Sequence, residues 1–136
     1  MSFTLKIFSF ILLLFLGCSS QEESICIESP DKNISVKILK QNSDFIYNVN
    51  FKGKTIIQDS KVGLMFKNNF EFPTNHNVKK VEKEFHKDTW ELPWGEKKVV
   101  KDIYNEIIIS LTDTNNLETG KMLFRAYDDG IAFRYQ

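Results

Sequence analysis

With 136 residues, the chain is long enough for one domain with a real core and short of the usual length for two. Hydrophobic residues at 42% and charged residues at 26% exclude a disordered, collagenous or disulfide-framework protein, and twelve Phe favour strands. Eighteen basic residues balance eighteen acidic ones with no block of either sign, which argues against nucleic acid as a partner.

The first element is Met1 to Lys6 followed by the apolar run Ile7 to Leu16, broken only by Ser9, and then Gly17-Cys18-Ser19-Ser20. The run is about half of the roughly 20 apolar residues that a membrane-spanning helix needs, so it reads as the hydrophobic region of a signal peptide over residues 1–17. A small residue before Cys after such a run resembles the bacterial lipobox, although Phe15 and Leu16 are bulkier than usual there. The resemblance implies that Cys18 is lipidated and becomes the first mature residue. Acyl chains contribute about 0.8 kcal/mol per buried methylene, which would hold an exported protein to a membrane surface without spanning it. Residues 18–24 then read as a polar tether, and the expected location is the outer membrane or the periplasmic face. Cys26 is left without an internal partner and is expected to act as a small hydrophobe at the start of the fold.

From Ile25 onward, short β-type runs alternate with turn residues, and the predicted class is all-β, an antiparallel β-sandwich. Ile34 to Ile38 and Phe45 to Phe51 alternate apolar and polar around the turn residues 41–44, which predicts a hairpin. Lys52-Gly53-Lys54 is a second turn, Thr55 to Ile57 a third strand, and Val62 to Phe66 a fourth after a break at Asp59-Ser60. The segment from Asn68 to Lys101 is charge-rich and less regular. It is assigned to strand and loop, with the spacing of Val78, Val81 and Phe85 leaving room for a brief helix. Tyr104 to Thr112 and Met122 to Tyr127 are further strands, and Asp128-Asp129-Gly130 turns the last of these into Ile131 to Tyr135. The sequence stops directly after that hairpin, so the sandwich is expected to be incomplete on its C-terminal side.

The most distinctive passage is Trp90-Glu91-Leu92-Pro93-Trp94-Gly95-Glu96. Two Trp around a Pro with nearby carboxylates could stack sugar rings and accept hydroxyl hydrogen bonds, which makes Trp90, Trp94 and Glu96 the candidate substrate-binding residues. Residue type alone favours the blander alternative, in which both Trp fill the core between sheets. Asp128 and Asp129 lack the six to eight oxygens that calcium requires and read as a hairpin turn, while Arg125 and Arg134 read as cross-strand or surface pairs. His76 and His86 match no common zinc spacing and are read as solvated. No phosphate loop or serine-nucleophile motif is present in the sequence.

Several passages, in this order, resemble the N-terminal domain of glycoside hydrolase family 97, which includes bacterial α-glucosidases and α-galactosidases. They are Ser29-Pro30-Asp31, Tyr47 to Lys54, Ser60 to Leu64, Trp90 to Glu96, Tyr104-Asn105-Glu106 and Phe124 to Tyr135. The resemblance covers residues 25–136 apart from Phe70 to Lys87. It implies a large β-sandwich of the kind that precedes a catalytic (β/α)8 barrel and closes part of its cleft. Catalytic carboxylates and a calcium ion belong to the full-length enzyme, so no catalytic and no metal residue is carried over onto this chain. The implied partners are the barrel and an α-linked oligosaccharide or polysaccharide. Two alternatives are a stand-alone carbohydrate-binding lipoprotein, which requires Trp90 or Trp94 exposed, and an adhesin or assembly lipoprotein without a sugar site, which requires both buried.

Overall fold

The computed structural model describes residues 24–96 and 98–136; the predicted signal peptide, Cys18 and residues 19–23 of the tether lie outside them. In chain order the strands are β1 (Ser24–Glu28), β2 (Ile34–Gln41), β3 (Asp44–Phe51), β4 (Lys54–Val62), β5 (Leu64–Met65), β6 (Glu71–Phe72), β7 (Asn77–Glu91), β8 (Val99–Thr112), β9 (Glu118–Ala126) and β10 (Ile131–Tyr135). There is no helix among the described residues. Strands β1 to β4 form one antiparallel sheet in sequence order, and β7 to β10 form the second in the same manner. The all-β expectation holds, and Ser24, assigned to the tether, instead opens β1 opposite Leu39.

Local chemistry accounts for the hairpins. The β3–β4 loop is the pair Lys52 (φ 48°) and Gly53 (φ 78°), and two left-handed residues match the right-handed twist of the strands they join. The predicted break at Asp59-Ser60 is a bulge inside β4: Asp59 takes φ 47° and its N–H donates to the Asn48 side chain, so pairing shifts register and continues. The predicted third strand and the start of the fourth are therefore one strand.

The two sheets bury their alternating apolar sides against each other. Val36, Ile38, Phe45 and Val49 of the first sheet meet Ile107, Ile109, Met122 and Phe124 of the second, all nearly inaccessible to solvent. Each such side chain contributes about 1.5–3 kcal/mol by leaving water. Gly120 lets the Phe72 ring lie against β9, because a Cβ there would sit 2.9 Å from Phe72 Cζ. The spare face of Cys26 follows from the pleat: Ile25 and Ile27 turn inward, so Cys26 is exposed and does not act as a core hydrophobe.

The segment that left room for a helix is the long strand β7. Its partner β8 pairs with β9 only from Asn105 onward, whereas β7 and β8 stay paired as far as Glu91 and Val99. The β7–β8 hairpin thus runs past the rest of its sheet as an arm of roughly 20 Å at about 3.3 Å per residue. The other connections at that end stay close to the sandwich: Asp31 N–H donates to Asp128 Oδ1 at 2.8 Å, and Lys52 N–H to Asn33 O at 2.7 Å.

Candidate functional site

The Trp-rich passage forms the end of the arm. Trp90 is the last outward-facing residue of β7, opposite Val100, and is 43% exposed; Trp94 lies in the connecting loop and is 83% exposed. Leu92 N–H donates to Lys98 O at 2.9 Å and closes this loop, and Gly95 takes φ 125° within it. Glu96 is exposed beside them. The expectation that both Trp fill the core is overturned: Trp90 lies on the face of β7 that points away from the first sheet, and Trp94 lies in the loop at the end of the hairpin. The adhesin alternative, which required both to be buried, loses its condition.

From Trp90 back to the body of the sheet, the outer face is a continuous polar and aromatic surface. Cross-strand pairs put His86 beside Tyr104, Asp88 beside Asp102 and Glu106 beside Arg125. The His86 ring stacks on Tyr104 at 4.7 Å between centroids, and its Nε2 lies 3.5 Å from Asp102 Oδ2. The guanidinium of Arg125 covers the other part of Tyr104, 4.3 Å from its centroid, and Tyr127 packs beside it at 5.0 Å. Tyr104 is therefore 5% exposed although it faces away from the core. That burial raises its pKa above the usual phenol value, against the opposing charge of Arg125.

Arg125 Nε donates to Glu106 Oε2 at 3.0 Å, and this hydrogen bond raises the Arg125 pKa further above its already high value. Glu106 is 7% exposed, so the pair is a partly buried, charge-assisted one that fixes the guanidinium plane against Tyr104. The expected cross-strand role of Arg125 holds. The exposed groups of this surface are the Trp90 ring and the Asp88 carboxylate, able to stack on an apolar ligand face and to accept hydrogen bonds from hydroxyls, whereas Tyr104 and Glu106 are covered by their neighbours.

His86, stacked on Tyr104, keeps 44% of its side chain exposed, whereas His76 departs from the solvated reading. His76 is buried, donates from Nδ1 to Thr74 O at 2.8 Å and meets the Phe72 ring edge-on at 5.0 Å. A charge-rich sequence neighbourhood hid this, because the residues that bury His76 come from the β6 region and the turn that follows it. Sequence reasoning also missed Tyr104 and Glu106 as parts of one surface. Only the register that puts both beside His86 and Arg125 joins them.

Asp128 and Asp129 form the predicted turn, closed by Tyr127 N–H to Gly130 O at 2.8 Å. Among the described residues no three His, Cys, Asp or Glu side chains converge as a metal site.

Comparison with known proteins places this geometry in a family. A model described as glycosyl-hydrolase 97 N-terminal matches residues 27–136. A glycoside hydrolase family 97 enzyme from Pseudoalteromonas sp. strain K8, solved in complex with panose and in complex with acarbose, is 33% identical with a TM-score of 0.73. The match covers 82% of this chain and 17% of that one. A β-arabinopyranosidase has the same fold at 20% identity and a TM-score of 0.72, over 83% of this chain and 18% of its own. With most of its length matched by the family model, the chain belongs to the glycosyl-hydrolase 97 N-terminal family.

Proposed function

We propose that this chain is the N-terminal, carbohydrate-associated sandwich of an exported, lipid-anchored α-glycosidase, and that hydrolysis of α-linked sugars is carried by a barrel elsewhere in the same protein. The observation that supports it most is the family match over residues 27–136, with relatives solved around panose and acarbose. Within that enzyme, Trp90, Trp94 and Glu96 contact the sugar or the barrel beside it. Their exposure at the arm's end supports that role, since large aromatic rings left in water without a ligand or neighbour are an unfavourable use of apolar surface.

The test is a kinetic comparison of the full-length enzyme with Trp90→Ala and Trp94→Ala on panose. Loss of one stacking contact of about 1 kcal/mol raises KM about fivefold with little change in kcat. Unchanged KM in both variants overturns the assignment of these residues, and absence of hydrolysis by the full-length protein overturns the glycosidase reading. In the second case the exposed Trp pair favours a stand-alone carbohydrate-binding lipoprotein, and quenching of Trp fluorescence by panose decides it. Anchoring is tested by metabolic labelling with palmitate: the label is lost in Cys18→Ser and kept in Cys26→Ser. A label kept in Cys18→Ser overturns lipidation at Cys18.

A further inference from the structure

The two ends of the sandwich expose different chemistry. The arm with Trp90 and Trp94 leaves from one end. At the other, the β2–β3 turn, the β5–β6 hairpin and the β8–β9 loop meet. Asn75 N–H donates to Ser43 O at 2.8 Å, Lys61 Nζ lies 3.2 Å from both Asp44 and Glu71, and Phe70, His76 and Asp113 line one cleft. Ser24 belongs to this end too: it pairs with Leu39, two residues before β2 finishes at Gln41.

The β5–β6 hairpin carries the apolar surface of that end. Every residue from Gly63 to Phe70 is exposed, among them Leu64, Met65 at 73%, Phe66 and Phe70. Leu64 and Met65 are neighbours on a strand and so point to opposite sides, while the Phe66 and Phe70 rings pack on each other at 5.7 Å across the turn. The tip is therefore apolar on both faces. Lys67 is the one ionisable residue between Gly63 and Phe70, and the carboxylates behind it, Asp44 and Glu71, are both met by Lys61. Leu117, in the β8–β9 loop, adds an exposed apolar side chain at the same end.

We propose that this hairpin docks on a membrane surface: Leu64, Met65, Phe66 and Phe70 enter the boundary between headgroups and acyl chains, and Lys67 meets anionic headgroups there. An apolar tip on both faces suits an interface that surrounds it better than a partner lying against one side. The reach of the anchor agrees. Six residue steps separate Cys18 from Ser24, at most about 22 Å when fully extended. Strand β1 lies three strand spacings, about 14 Å, from β4, which leads into the hairpin. The inference rests on the proposed lipidation of Cys18 and adds an orientation to it. The hairpin end faces the bilayer, and the arm with its Trp pair points away from it.

The test uses the full-length lipidated protein with its free thiols replaced, Cys26→Ser among them. A polarity-sensitive fluorophore is attached through Met65→Cys or, at the arm's end, through Glu96→Cys, and the protein is bound to vesicles of phosphatidylethanolamine and phosphatidylglycerol. Lipids with a nitroxide near the headgroup end of the acyl chain are expected to quench position 65 at least about twofold and to leave position 96 unchanged, as for an apolar face buried roughly 5–10 Å into the interface. An unquenched label at position 65, on protein that floats with the vesicles and carries acyl mass on its Cys18 peptide, overturns this inference alone. Equal quenching at both positions does the same, and so does a label at position 65 already shielded from a water-soluble quencher before vesicles are added, since the rest of the enzyme or a second copy then covers the hairpin. A Cys18 peptide without acyl mass overturns the anchoring reading together with this inference.

Discussion

The middle of the second sheet and its projecting arm are built from the same two strands, yet they obey different rules. In the middle, β8 is flanked by β7 and β9 and roofed by the first sheet, and Ile107, Ile109 and Leu111 are wholly buried. Past Asn105 the third strand stops, and the arm leaves Trp90, Trp94 and Val99 in water. A two-stranded ribbon alone is at best marginally stable, so the arm is held by its root: the His86, Tyr104 and Arg125 stack. Burial belongs to the middle, and the exposed rings to the arm.

The strongest way to break that division is Ile109→Ala. Removing a wholly buried side chain costs about 2–5 kcal/mol, read as a lower midpoint in denaturant unfolding of the intact protein. Gly120→Ala comes next at about 1–3 kcal/mol, since its Cβ collides with the Phe72 ring that β9 now admits. Glu106→Gln removes the charge facing Arg125 and is expected to cost about 1–2 kcal/mol, tempered by the partial exposure of Arg125. The same change should loosen the arm's root, seen as faster hydrogen exchange in β7 and β8 near His86 and Tyr104. Trp94→Ala is expected to shift stability by less than about 0.5 kcal/mol, and a larger loss would show that the arm's end carries packing of its own.

The smallest effect concerns pH. The Ser29 hydroxyl, followed by the Asn33 backbone N–H, holds the Asp31 carboxyl below its ordinary value of 3.8. A depressed carboxylate contributes stability above that value and loses it as pH falls towards its lower folded value. In Asp31→Asn, the decline of the melting temperature on acidification should be shallower, and an unchanged decline would remove Asp31 from the loop's balance.

Alternation made most of the body legible: Ile34 to Ile38, Phe45 to Phe51 and Ile131 to Tyr135 are strands as their patterns require. The bulge at Asp59 was read as a break because Asp-Ser has turn chemistry and its pairing partner Asn48 is visible only in register. β7 was the least legible strand. Lys, Glu and His fill both of its sides because neither is covered along most of its length, so the period that marks a half-buried strand is absent. The Trp pair was found by its composition, but its exposure depended on how far the hairpin outruns β9, a length set by pairing and not by the two residues.

One feature of the topology bears on how the molecule is made. Among the described residues each sheet is a meander of consecutive strands, the last strand of the first ending at Val62 and the second begun only at Asn77. Within a sheet all pairings are between neighbours in sequence, which keeps loop closure short and pairing fast. The cost falls between the sheets: as the chain emerges, the first meander can form while Val36, Ile38 and Val49 still face water, and it stays so until β8 and β9 arrive. The interval between the two meanders is thus the vulnerable stage of folding, when a holding chaperone has the most apolar surface to grasp.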